Sequence, residues 1–138
     1  SCRCELNMPT NITFSTDKAG TTRYHGSLSV DGSSVTQFHG LILEPDSEIP
    51  ADAEELETLG DERILTVNYL QEIETQPPYR HMGHMRSAIS DLALRIPHTM
   101  IIYPLPLEHD DDPEKVLALR SAYHRIGFKD LGPLMALT

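Results

Sequence analysis

The segment Tyr79-Arg80-His81-Met82-Gly83-His84-Met85-Arg86 holds the residue types that an anion site needs. Two guanidiniums, Arg80 and Arg86, flank a glycine where an apolar stripe begins. Met85, Ala88, Ile89, Leu92, Ala93 and Ile96 recur at helical spacing, which predicts a helix over 84–96. The first backbone N–H groups of a helix lack internal partners, and the helix dipole adds partial positive charge there. Glycine lets the backbone approach a ligand closely. A diphosphate suits such a turn. The dipole contributes only about 0.3–2 kcal/mol, so several N–H bonds must carry most of the affinity.

Other reactive side chains lie nearby in sequence. Glu72 and Glu74 share one face of a predicted strand, with Tyr69, Gln71 and Ile73 on the other. Tyr123 lies on the apolar stripe of a second predicted helix. His81-x-x-His84 has the spacing of a ligand pair, but no third ligand follows at motif spacing and the pair sits inside the anion turn, so no metal is expected. Cys2 and Cys4 are the only cysteines. They are too close for a good disulfide and too few for a four-cysteine zinc site, and a reducing, cytoplasmic setting fits them.

The elements that position these residues follow from the pattern. Ile12–Ser15, Thr22–Val30 and Ser34–Leu43 read as strands, and Asp31-Gly32 between two of them signals a hairpin. Residues 44–62 hold nine acidic residues and no Lys or Arg. The expectation there is a solvated excursion with a short acidic helix over 51–59. Arg63–Thr75 is the longest strand candidate, stopped by Gln76-Pro77-Pro78. His98–Leu105 reads as a buried strand. Asp112, Pro113 and Gly127 mark the cap, first turn and end of a second helix, and Phe128–Leu137 as a last strand or pair.

A chain of 138 residues suits one domain. Residues 1–10 show no secretory layout and read as a flexible tail. No apolar run approaches the ~18 residues of a membrane span. The formal charge of −10 disfavours nucleic acid and suits a cationic partner.

Pro77-Pro78-Tyr79-Arg80-His81-Met82-Gly83-His84-Met85 resembles the coenzyme A motif of the GNAT superfamily of N-acyltransferases, with Arg80 and Gly83 on its arginine and glycine and Met85 where the family has a small residue. Leu70–Thr75 resembles the family's fourth strand, and Ala122-Tyr123-His124-Arg125-Ile126-Gly127-Phe128 its Tyr-x-x-x-Gly-Phe helix ending. The resemblance covers about half the chain. It implies an α/β (α+β) GNAT-like fold: a twisted, mainly antiparallel sheet with helices on both faces and reduced N-terminal helices. It also implies an acetyl-coenzyme A-dependent N-acetyltransferase. Acetyl-coenzyme A would enter between the strands at 63–75 and 98–103. Ile73, Glu74 and Thr75 would bond its pantetheine arm, and Arg80, His81, Met82, Gly83, His84, Met85 and Arg86 its diphosphate. Tyr123 would be the acid at the sulfur. Glu72 is the first choice for the base, with His98, His124 or a water chain as alternatives. The acceptor would be a small-molecule or protein amine, and the enzyme a monomer or homodimer. The alternative is a GNAT-like module acting through coenzyme A or protein binding.

Overall fold

The computed structural model describes residues 10–62, 65–104 and 112–138. Cys2, Cys4, the start of the strand expected at Arg63, and Leu105 at the end of the strand expected over 98–105 lie outside them. Among the described residues seven strands and two α-helices follow one another: β1 (Thr10–Thr16), β2 (Thr22–Val30), β3 (Ser33–Leu43), β4 (Val67–Thr75), α1 (His84–Arg95), β5 (Thr99–Ile102), α2 (Pro113–Ile126), β6 (Lys129–Leu131) and β7 (Leu134–Leu137). Two compact units are formed, one from the described part of Ser1–Ile42 with Leu70–Pro97, the other from Leu43–Tyr69 with His98–Thr138. β4 contributes its carboxyl-terminal part to the first and its first three residues to the second.

In the first unit the strands run in the order β1-β2-β3-β4. β1 pairs antiparallel with β2, and β2 with β3. The Asp31-Gly32 hairpin has positive φ at both residues, 52° and 83°, the twist that a two-residue turn between strands requires. A bulge between Leu28 and Ser29 then shifts the register. Gly26 is needed for close approach: a Cβ there would stand 2.0 Å from the Asn11 carbonyl oxygen and 2.9 Å from the Phe38 ring. α1 packs on β1 and β2 and buries Ala88, Ile89 and Leu92. The stripe expected from its sequence is the stripe it buries, with Met85 and Ala93 at its half-exposed margins. Asp91 of α1, also buried, accepts a short hydrogen bond from the Thr10 hydroxyl. Arg95, one turn on, donates to that hydroxyl at 2.9 Å. These contacts fix α1 against the first strand.

The second unit has the order β4-β5-β7-β6. β5 and β7 are antiparallel, as are β6 and β7. β5 is shorter than the sequence suggests, ending at Ile102. α2 begins as its residues dictate: the Asp112 carboxyl accepts from the Glu114 N–H at 3.0 Å, Pro113 opens the first turn, and Gly127 ends the helix at φ 124°.

The acidic stretch is helical from Ala51, as expected, but of another type. Residues Ala51–Glu62 form 3₁₀ turns broken by non-helical backbone at Ala53 and Gly60. The stretch is not merely solvated, because Ala53, Leu56 and Leu59 are buried. Their spacing of three places them on one side of a three-residue turn, so acids face water while an apolar line joins the core. The Tyr69 hydroxyl of β4 donates a short hydrogen bond to Glu55 of this stretch. Burial first, and then this bond, push the Tyr69 phenol far above its ordinary range. Tyr69→Phe should lower stability by about 1–2 kcal/mol, read as a shift in denaturation midpoint; an unchanged midpoint would mean that the bond contributes nothing.

Candidate functional site

The anion turn forms at the end of β4, inside the first unit. Gln76 adopts extended backbone before its proline (φ −59°, ψ 141°). Its N–H donates to the Val35 carbonyl at 2.8 Å, and its side-chain amide to the Ser34 carbonyl at 2.9 Å. The turn is thus moored to β3. Pro77–Tyr79 make a single 3₁₀ turn. His81 then takes a left-handed backbone (φ 66°), unusual for a residue with a side chain, and Gly83 takes another (φ 80°). Gly83 is the N-cap of α1, and no side chain caps that end. The glycine is required by conformation, since a Cβ there would meet nothing within 4 Å.

The side chains around it are open to solvent. Arg80, His81, Met82 and Arg86 are exposed, and His84 and Met85 half-buried. The Arg80 Nε donates to the Thr75 carbonyl at 2.9 Å, and its guanidinium stands 3.9 Å from the Glu74 carboxylate. Such a loose, half-exposed pair is weak, so the guanidinium keeps most of its capacity for an anion. Tyr79 and His84 meet edge to face with ring centroids 6.2 Å apart. A positive helix end with no side-chain cap, an exposed arginine three residues before it in the same turn and clear space over the glycine fit a diphosphate.

β4 behaves differently along its length. Val67 to Leu70 are all buried, whereas Gln71 to Thr75 alternate between half-buried and exposed. Glu72 and Glu74 are the exposed pair, and Ile73 and Thr75 point the other way. The Thr75 hydroxyl pairs with that of Thr36 at 2.8 Å. The expected base, Glu72, has a neighbour that the sequence did not reveal: His39 of β3, whose Nε2 lies 3.5 Å from the Glu72 Oε1. His39 is itself directly opposite His25. The alternation of β3 offered the only hint of this, and the bulge concealed the register.

Tyr123 belongs to the second unit. It is buried on α2 and meets Phe128 edge to face at 5.4 Å between centroids. Its carbonyl accepts from the N–H groups of Gly127 (3.2 Å) and Phe128 (3.1 Å), so the Gly-Phe ending closes the helix onto Tyr123 itself. Burial pushes its phenol up to about 12. His124 Nε2 lies 2.9 Å from the Asp130 carboxylate. Arg120 binds the same oxygen at 2.9 Å, and these bonds, Arg120's first, hold Asp130 below the usual carboxylate range. His124 is therefore tied into a surface cluster, whereas His98 is exposed. Among the described residues no group of three His, Cys, Asp or Glu is placed to hold a metal ion, and no helix is long and apolar enough to cross a membrane.

No family model matches the sequence, nor does any curated protein. Solved structures do resemble it. A GNAT-family acetyltransferase from Listeria monocytogenes is similar over 83% of this chain and 61% of its own, with a TM-score of 0.52 at 15% identity. An N-acetyltransferase from Staphylococcus aureus is similar over 81% of this chain and 66% of its own, with a TM-score of 0.45 at 16% identity. AtaTR, solved with acetyl-coenzyme A, is similar over 94% of this chain and 93% of its own, with a TM-score of 0.44 at 9% identity. The chain spans about three fifths of the length of the Listeria protein and about two thirds of the Staphylococcus one. The first likeness establishes the fold: a mixed α+β chain of the GNAT acetyltransferase type.

Proposed function

We propose that the chain is an N-acetyltransferase that passes the acetyl group of acetyl-coenzyme A to a primary amine in one direct attack. The observation that carries this reading is the turn at the end of β4, where α1 starts at a left-handed Gly83 with no side-chain cap, three residues after Arg80. The GNAT-type fold supports it. Backbone N–H groups of residues 83–86 and the side chains of Arg80 and Arg86 would hold the diphosphate, with His81, Met82, His84 and Met85 shaping the turn. Ile73, Glu74 and Thr75 would guide the pantetheine arm along β4, with a backbone N–H near Ile73 or Glu74 meeting the developing oxyanion.

Acyl transfer to an amine needs a neutral nucleophile and a protonated leaving group. Glu72 is the base in this reading, exposed on β4 where an amine can reach it. Tyr123 is the acid. Its phenol, pushed up to about 12, keeps its proton throughout the neutral range. An ordinary thiol titrates near ~8.5, so complete transfer from such a phenol to a free thiolate is uphill by roughly 5 kcal/mol. Tyr123 therefore acts as a hydrogen-bond donor to sulfur whose proton moves only as the C–S bond breaks. Tyr123→Phe should lower kcat at least ~tenfold with acetyl-coenzyme A affinity intact; unchanged turnover would remove the phenol from the mechanism. The proposal as a whole is tested by thiol release from acetyl-coenzyme A across an amine panel, and release no faster than in buffer would count against it.

A further inference from the structure

Within the first unit, the sheet is packed on one face and open on the other. Thr10, Tyr24 and Leu28 are buried on the side that carries α1. Strand alternation turns the intervening residues to the opposite side, where Thr13, His25, Gln37 and His39 are exposed. Register fixes their arrangement: Thr13 is opposite His25, His25 opposite His39, and Ser27 opposite Gln37. Glu72 of β4 extends the first row through its 3.5 Å approach to His39. These residues, with Asn11 and Glu74, line a groove of ≈ 610 Å³, within the size range of small-molecule sites.

The lining selects a ligand class. It holds two carboxylates, Glu72 and Glu74, and no Lys or Arg, so it attracts a cation and repels a phosphorylated or carboxylated molecule. Phe38, between Gln37 and His39 on β3, turns its ring to the other side against Gly26 and Tyr24, so no large apolar side chain faces the groove and an aromatic or long alkyl amine finds little to bury. The amides of Asn11 and Gln37 and the hydroxyls of Thr13 and Ser27 both donate and accept. They recur at strand spacings, about 4.8 Å across the sheet and about twice the ~3.4 Å rise along one strand. A ligand bearing several hydroxyls can meet them together. One lacking hydroxyls would strip water from these groups and return nothing, the situation in which sites discriminate most strongly.

We propose that this open face is the acceptor site and that it takes a polyhydroxylated primary amine of amino-sugar chemistry, with its ammonium at Glu72 and its hydroxyls on Thr13, Ser27 and Gln37. The inference rests on the acyl-transfer reading above. In the step it implies, the ammonium gives one proton to Glu72, which hands it through His39 to bulk water. The freed amine lone pair forms the C–N bond as the C–S bond breaks, the Tyr123 phenol gives its proton to the thiolate sulfur, and the second amine proton restores the phenol. The products are the amide, the free thiol and one proton released to solvent.

The test assays the intact protein against the β-1,4-linked glucosamine disaccharide, spermidine and tryptamine, with acetyl-coenzyme A binding measured in parallel. The disaccharide should exceed both other amines in kcat/KM by at least ~tenfold and should shift the amide resonances of Thr13, Ser27, Gln37 and His39. Gln37→Leu, and separately Ser27→Ala, should raise its KM several-fold with kcat within about twofold. Preference for tryptamine or spermidine, or shifts confined to another surface, overturns the assignment. If acetyl-coenzyme A fails to bind while the disaccharide still shifts these four amides, the amino-sugar site stands and the acyl-transfer reading falls. If acetyl-coenzyme A binds and is turned over with other amines only, the reverse holds.

Discussion

Glu72→Gln is expected to lower kcat/KM for acetyl transfer by about 10²–10⁴-fold, the range general base catalysis supplies, while acetyl-coenzyme A binds as before. The substitution keeps the shape of the side chain on the open side of β4 and removes its capacity to take a proton. Glu72 is exposed and lies beside His39, so its replacement leaves no buried group unpaired and the fold should be unaffected. Steady-state rates with saturating acetyl-coenzyme A, measured across pH, separate the possible roles. A base lost from the reaction leaves activity that recovers as the amine deprotonates in alkaline buffer. A residue that only held the amine would raise KM at every pH. A loss smaller than about threefold would move the base elsewhere, to His98, His124 or a water chain.

Gly83→Val should weaken acetyl-coenzyme A binding by roughly 30-fold or more. Gly83 sits at φ 80°, where a residue with a Cβ is strained by about 1–2 kcal/mol and a β-branched one more so. The chain can relieve that strain only by redirecting the first N–H groups of α1, the groups proposed to bind the diphosphate. The loss of about 2 kcal/mol is a factor of ~30 in affinity. A Cβ here meets no protein atom within 4 Å, so overpacking is not a competing explanation. Titration calorimetry reads the affinity, and the denaturation midpoint reads the fold. An affinity within twofold of the parent would place the diphosphate away from this turn.

Legibility in the sequence varied with the kind of signal. Helix ends were readable where one residue type has one physical reason: Asp112 and Pro113 open α2, and Gly127 closes it. The α1 stripe was readable because its period spans three turns. The burial of the 3₁₀ stretch was not, since its apolar line of Ala53, Leu56 and Leu59 is embedded among six acidic residues that dominate any count of polarity. The groove was hidden for another reason. A plain two-residue turn at Asp31-Gly32 would set His25 against Phe38; the bulge moves its partner on by one, to His39. A slip of one residue exchanges the faces of a strand, so the row that includes Glu72 and His39 exists only because of an irregularity that residue pattern does not announce. Glu72 itself was legible through alternation in β4, and the turn through its arginine, glycine and helix start.

Acetyl transfer as proposed for this chain requires the amino end of α1 to bind a diphosphate. The most direct measurement is the backbone amide spectrum of the isotope-labelled protein during titration with coenzyme A. The amides of Gly83, His84, Met85 and Arg86 should show the largest shifts, saturating together. A folded spectrum in which those four stay fixed while coenzyme A perturbs another region, or perturbs nothing, would contradict it.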